Sequence, residues 1–80
     1  MNSKISFDQL KAALQRSGFE SPDDPDVELA AYGMDSLQIA ISVLELEREF
    51  GLKLQIKTSL KDAFQSLRTL QKWLESQGHL

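Results

Sequence analysis

The 80-residue chain predicts an all-α fold, a small antiparallel bundle of three main helices and one short helix. Three observations predict it. Apolar residues recur at helical spacing in three segments, each preceded by a polar capping residue. Both prolines fall in one connection, Ser21-Pro22-Asp23-Asp24-Pro25-Asp26, and so leave those segments uninterrupted. The one alternating stretch, Lys53-Leu54-Gln55-Ile56-Lys57, has no second strand to pair with and reads as extended loop.

The first helix is expected at about 6–17. Ser6-Phe7-Asp8-Gln9 is a capping box, Phe7, Leu10 and Leu14 share one face, and Gly18 stands where the helix should stop. Residues 18–35 then form a long connection, too rich in turn formers to be one helix. Val27, Leu29, Ala30 and Tyr32 are expected to fasten its second half to the core. The second helix is expected at 36–50, opened by Asp35 with Gln38 three residues on and closed by Gly51. A short helix is expected at 59–64. The last is expected at 67–77, capped by Ser66, with Leu67, Leu70, Trp73 and Leu74 on one face and Gly78 as its stop. By size, residues 1–80 make a single domain.

Composition excludes several classes of function. With no cysteine there is neither a disulfide scaffold nor a thiolate metal site. A domain this small buries a modest core, so a deep enclosed active site is not expected. The net charge of −3 is uneven: residues 1–51 hold ten acids and four bases, residues 52–80 two acids and five bases. An acidic front half argues against nucleic acid and suits a basic partner surface, unless it is simply a solvated face. No apolar run is long enough for membrane insertion and no signal-peptide pattern opens the chain, so a cytoplasmic, monomeric protein is expected.

The second helix carries two apolar stripes. At about 100° per residue, Val43, Leu46 and Phe50 fall on the side of Ile39, while Leu37, Ile41 and Leu44 fall opposite, followed by Arg48. A surface helix in a small bundle needs one such stripe. Either this helix is central and covered on both sides, or Leu37, Ile41 and Leu44 form an exposed docking ridge with Glu45, Glu47 and Arg48 as its polar rim. Ser36 at the end of the same ridge favours the second arrangement, and an apolar centre with a charged rim is common at interfaces.

The turn Gly33-Met34-Asp35-Ser36-Leu37 places a serine hydroxyl at a helix start. As a bare cap it would need only Asp35, which the helix dipole favours there. As a catalytic nucleophile Ser36 would need an oriented base, but the only histidine is His79 and no G-x-S-x-G elbow exists. A calcium loop from Asp24, Asp26 and Glu28 fails because Leu29 stands where glycine is required.

A further reading is covalent modification of Ser36. The segment Leu29-Ala30-Ala31-Tyr32-Gly33-Met34-Asp35-Ser36-Leu37, with Leu44-Glu45-Leu46-Glu47-Arg48-Glu49-Phe50, resembles the acyl carrier and peptidyl carrier proteins. Those have a G-x-D-S-L motif at the start of their second helix and L-E-x-x-F near its close. The likeness covers nearly the whole chain, from the capped first helix through the acidic loop to the final helix. It implies an acyl-carrier-like bundle in which Ser36 receives 4'-phosphopantetheine from coenzyme A through a separate phosphopantetheinyl transferase. The chain would then be no enzyme. Gly33 would give the turn its freedom, and Asp35 would cap the helix and help the transferase hold its metal ion. Acyl groups would ride as thioesters on the arm and be presented to acyl-loading, elongating or acyl-transfer enzymes, which dock on the ridge of Leu37, Ile41 and Leu44.

Carriers of bacterial fatty-acid synthesis usually have acidic residues just after D-S-L and a turn later. Gln38 and Ile41 stand there instead. The upstream Leu-Ala-Ala-Tyr-Gly-Met is similar to carriers of polyketide and nonribosomal peptide pathways, so a carrier of a specialised pathway is expected. General fatty-acid synthesis, specialised lipid or cell-wall acylation, and a carrier-fold interaction module without the arm are the alternatives. Phe64 and Trp73 are either plain core or the lining of a pocket for cargo.

Overall fold

The computed structural model describes residues 5–54 and 59–77. Four helices follow in order, α1 (Phe7–Arg16), α2 (Ser36–Phe50), α3 (Leu60–Ala63) and α4 (Leu67–Glu75), with a 3-10 turn at Leu29–Tyr32 between the first two. Among the described residues there is no strand, and Lys53 and Leu54 are irregular backbone. The rest of that alternating stretch, Gln55 to Lys57, lies outside the described residues, as do Gly78 and His79.

Local chemistry sets most helix ends. The Ser6 amide donates to Gln9 Oε1 (2.8 Å) and the Gln9 amide to Ser6 Oγ (3.1 Å), the reciprocal pair that satisfies two otherwise orphaned donors. At the other end of α1, Gly18 takes φ +98°, its amide donates to Gln15 O and that of Phe19 to Leu14 O. This is a glycine-terminated C-cap that carries Phe19 into the core. Ser66 and Thr69 form the same kind of box at the start of α4, with threonine in place of the usual glutamate or glutamine. That helix ends at Glu75, short of residue 77, and Ser76 Oγ donates to Trp73 O (2.6 Å) at its end.

α1 packs on α2 and α4, and α3 on α2 and α4. Leu10 and Leu14 of α1, Leu46 of α2 and Leu67, Leu70 and Leu74 of α4 are fully buried. Phe64 and Trp73 lie against each other in a tilted pair, ring centroids 6.2 Å apart.

The long connection is tied down at several points. The Leu29 amide donates to Gln65 O (2.8 Å) and the Arg68 amide to Pro25 O (3.0 Å), so the loop is stitched to the segment joining α3 and α4. Ion pairs of Asp26 with Arg68 and of Asp23 with Lys11 add to this. Only part of the expected apolar anchor is used. Leu29 is fully buried, but Val27 is half-buried and Ala30 and Tyr32 are exposed. The reason is Gly33, which at φ +101° reverses the chain just after Tyr32 and sends Met34 into the core instead.

Polar groups also fasten α1 to α2. Ser42 is fully buried, and Gln38 Nε2 donates to Ser17 O (3.2 Å) and Ser17 Oγ (3.0 Å), with Ser42 Oγ 3.2 Å from Ser17 Oγ. Ser17 Oγ in turn donates to Leu14 O (2.6 Å). Part of the polar flank of α2 therefore faces inward and pairs with the end of α1, as buried polar groups must.

Candidate functional site at the start of α2

Gly33, Asp35 and Ser36 meet where the loop becomes α2. An added Cβ at Gly33 would touch nothing within 4 Å, so glycine is required there by its left-handed backbone and not by crowding. Asp35 is extended, and its Oδ1 accepts the Gln38 amide at 2.8 Å. That is the N-cap bond expected of it. Ser36 is the first residue of α2 and is exposed. Among the described residues no group hydrogen-bonds its hydroxyl. The hydroxyl is open to a visitor and has no hydrogen-bonded base among the described residues.

Beside it lies a cleft of about 290 Å³. Met34, Ile39 and Phe64 supply its apolar lining, and Lys61 and Asp62 of α3 stand along it with Ser36 and Asp35 of α2. Phe64 is thus both core and cleft wall, whereas Trp73 does not line it.

The opposite side of α2 is bare. Leu37 is 70% exposed, Leu44 68% and Ile41 40%, with Tyr32 at 53% on the preceding turn. The second apolar stripe is uncovered, and the arrangement in which α2 is sheathed on both sides is ruled out. Of the rim residues, Arg48 is exposed and Glu45, half-buried, lies 3.8 Å from it. Glu47 is turned elsewhere: its Oε2 accepts the Leu54 amide at 2.9 Å and holds the segment after α2 in place.

The sequence pattern gives Lys61 no role and makes Tyr32 a core anchor, not an exposed neighbour of the ridge. Lys61 could be assigned to a short helix, but nothing local places that helix across from Ser36. Tyr32 has the residue type of a core anchor, and only the reversal at Gly33 turns it outward.

The family model of the phosphopantetheine attachment site matches residues 8–75, from the first turn of α1 to the end of α4. The chain belongs to this family. No curated protein and no solved structure matches it at a significant level. Phosphopantetheine attachment domains are carrier domains, and their prosthetic group is 4'-phosphopantetheine. The residues at the start of α2 fit such a group. An unengaged hydroxyl at the positive end of a helix dipole suits a phosphate ester, and the half-apolar cleft beside it suits an aliphatic, amide-containing arm. No helix among the described residues is long and apolar enough to cross a membrane.

Proposed function

We propose that Ser36 is the attachment residue and that the chain carries acyl intermediates as thioesters on a phosphopantetheine arm. The observation that supports this most directly is the Ser36 hydroxyl itself, exposed at the first position of a 15-residue helix and without a hydrogen-bond partner among the described residues. It is a substrate hydroxyl. A separate transferase brings the base and the metal ion, the Ser36 proton is removed, and Oγ takes the phosphorus of coenzyme A as adenosine 3',5'-bisphosphate leaves. The arm, once bound, supplies a terminal thiol for thioester chemistry. The chain's own residues present the site: Asp35 holds the helix start, Gly33 holds the turn, and the helix N-terminus favours the phosphodiester anion.

Leu37, Ile41 and Leu44, with Arg48 and Glu45 beside them, are the docking ridge for the transferase and for the acyl-handling enzymes that follow. A small apolar ridge suits partners that must be left quickly. Tethering raises the effective concentration of cargo at each one without tight binding. The ridge contains Ile41 in place of an acid, and Gln38 beside it is engaged with Ser17. We therefore favour a cytoplasmic carrier of a specialised polyketide, nonribosomal peptide or lipid pathway over one of general fatty-acid synthesis. Its docking should weaken little between low and physiological salt, because little of the contact is ionic. A steep loss of affinity over that range, read by titration against the transferase, would overturn the pathway reading.

The decisive experiment is to incubate the protein with coenzyme A, magnesium and a broad-specificity transferase and to weigh it. Wild type should gain one phosphopantetheinyl group and Ser36→Ala none. An unmodified wild type would leave the ridge as the surface of an interaction module without the arm. Modification that survives Ser36→Ala would move the site elsewhere.

A further inference from the structure

Lys61 lies on α3 and lines the cleft that Ser36 opens into. It is the one cation among the residues lining that cleft, and among the described residues it makes no ion pair. Four other cations of the described residues have carboxylate partners, and Lys53 and Lys72, which form no ion pair among the described residues, do not line the cleft. Lys11 has Asp23, Arg16 has Glu49, Arg48 has Glu45 and Arg68 has Asp26. The carboxylates at the cleft are Glu28, Asp35 and Asp62, of which Asp35 is committed to the Gln38 amide. An anion added at Ser36 thus enters an acidic surrounding with a single unpaired ammonium on its far wall.

We propose that Lys61 is the counter-ion of the phosphodiester formed on Ser36, and that it steers the root of the arm across the cleft toward α3. This rests on Ser36 being the attachment residue. Attraction to Lys61 draws the phosphate toward α3, while repulsion from Glu28 and from Asp62, the neighbour of Lys61 on the same helix, opposes it, so the ammonium decides where in the cleft the phosphate sits. Met34, Ile39 and Phe64 then offer their exposed edges to the aliphatic part of the arm next to the phosphate. Steering to this side has a consequence for docking. The ridge residues Leu37, Ile41 and Leu44 do not line the cleft, so an arm held toward α3 leaves the ridge uncovered for partners.

The test uses the phosphopantetheinylated protein and phosphorus NMR, because the phosphodiester is itself the reporter. Wild type, Lys61→Gln, Lys61→Arg and Lys53→Gln are compared over a sodium chloride titration. Lys53 is exposed and does not line the cleft, which makes it the charge-matched control. The wild-type resonance should move with salt. Lys61→Gln should begin near the high-salt position and move little, Lys61→Arg should restore the movement, and Lys53→Gln should behave as wild type. The paired population should fall about two- to five-fold on removing the ammonium, as expected for an exposed ion pair. A second reading comes from a nitroxide placed on the arm's thiol, the sole thiol present because the chain has no cysteine. It should broaden α3 amides more than ridge amides in wild type, and lose that preference in Lys61→Gln. Identical resonances and identical broadening in wild type and Lys61→Gln would overturn the proposal. A wild type that takes up no phosphopantetheine would remove the carrier reading itself, an outcome visible by mass before any spectrum is taken.

Discussion

The two apolar faces of α2 differ in fate although their residues are alike. Ile39, Val43 and Leu46 point into the bundle and are buried; Leu37, Ile41 and Leu44, from the same turns, point away and are exposed. The neighbours of α2 explain this. α1 and α3 pack on it, and no further helix of the described residues covers the ridge side. A chain of 80 residues lacks the surface to sheathe a central helix all round. Apolar character therefore says that a residue is made for contact, while the bundle decides whether the contact is within the chain or with another protein. The inner face contributes to folding, and the outer face is left exposed, where we propose that partners dock.

The largest effect that would break this distinction is in stability. Leu46→Ala removes a fully buried side chain and should cost about 2–5 kcal/mol, the usual range for a leucine deleted from a core. Leu44→Ala, two residues earlier, should stay within about 0.5 kcal/mol, as exposed substitutions do. Urea unfolding of the two variants measures both. The order should reverse in docking. Leu44→Ala should raise the apparent KM of the transferase about five-fold or more, as loss of an interface anchor does. Equal destabilisation by the two variants would mean that the ridge is covered in solution after all.

A smaller effect is expected at the shared origin of both faces. Asp35→Ala removes the cap bond to Gln38 and should destabilise by about 1 kcal/mol. Its signature is local, because the first turn of α2 carries Ser36 and Leu37 but ends about two turns before Leu46. Amide hydrogen exchange should speed at residues 36–39 and stay slow at Val43 and Leu46. Uniform acceleration along α2 would show that the cap serves global folding and not the presentation of Ser36.

How much of this could be read in the sequence depended on how far apart the interacting residues are. The caps were legible because Ser6 with Gln9 and Asp35 with Gln38 act over three residues. The two stripes of α2 were legible as well, since helical periodicity alone separates Ile39 from Ile41. Which stripe was covered was not, because that depends on α1, α3 and their packing. The tie of Gln38 to Ser17 spans 21 residues and that of Ser42 to Ser17 spans 25, and no local pattern signals either. Glu47 looked like a rim residue because it flanks the ridge, yet the amide of Leu54, seven residues on, claims it. The same limit hid Lys61, which shares a cleft with Ser36 only after α3 has packed on α2.

The smallest expected effect concerns the loop that delivers the chain to α2, and it separates the loop's ties from both faces. Asp26 is held below the ordinary aspartate range by its hydrogen bond to Arg68, and Asp23 likewise by Lys11. A carboxylate whose folded pKa is lowered contributes stability above its unfolded value. That contribution is lost as pH falls through the folded value. The ties should therefore hold at neutral pH and weaken only below the ordinary aspartate range. Asp23, Asp26 and Arg68 are exposed and Lys11 is half-buried, so salt and water screen each pair and the change should be slight. Asp26→Asn should be slightly less stable than wild type at neutral pH, and the two should converge in acid. Docking through Leu37, Ile41 and Leu44 should be unaltered by Asp26→Asn at neutral pH, because neither Asp26 nor Arg68 belongs to the ridge. If Asp26→Asn instead weakened transferase binding as much as Leu44→Ala does, the acidic loop would itself be part of the docking surface, and the functional face of the molecule would extend from α2 onto the loop.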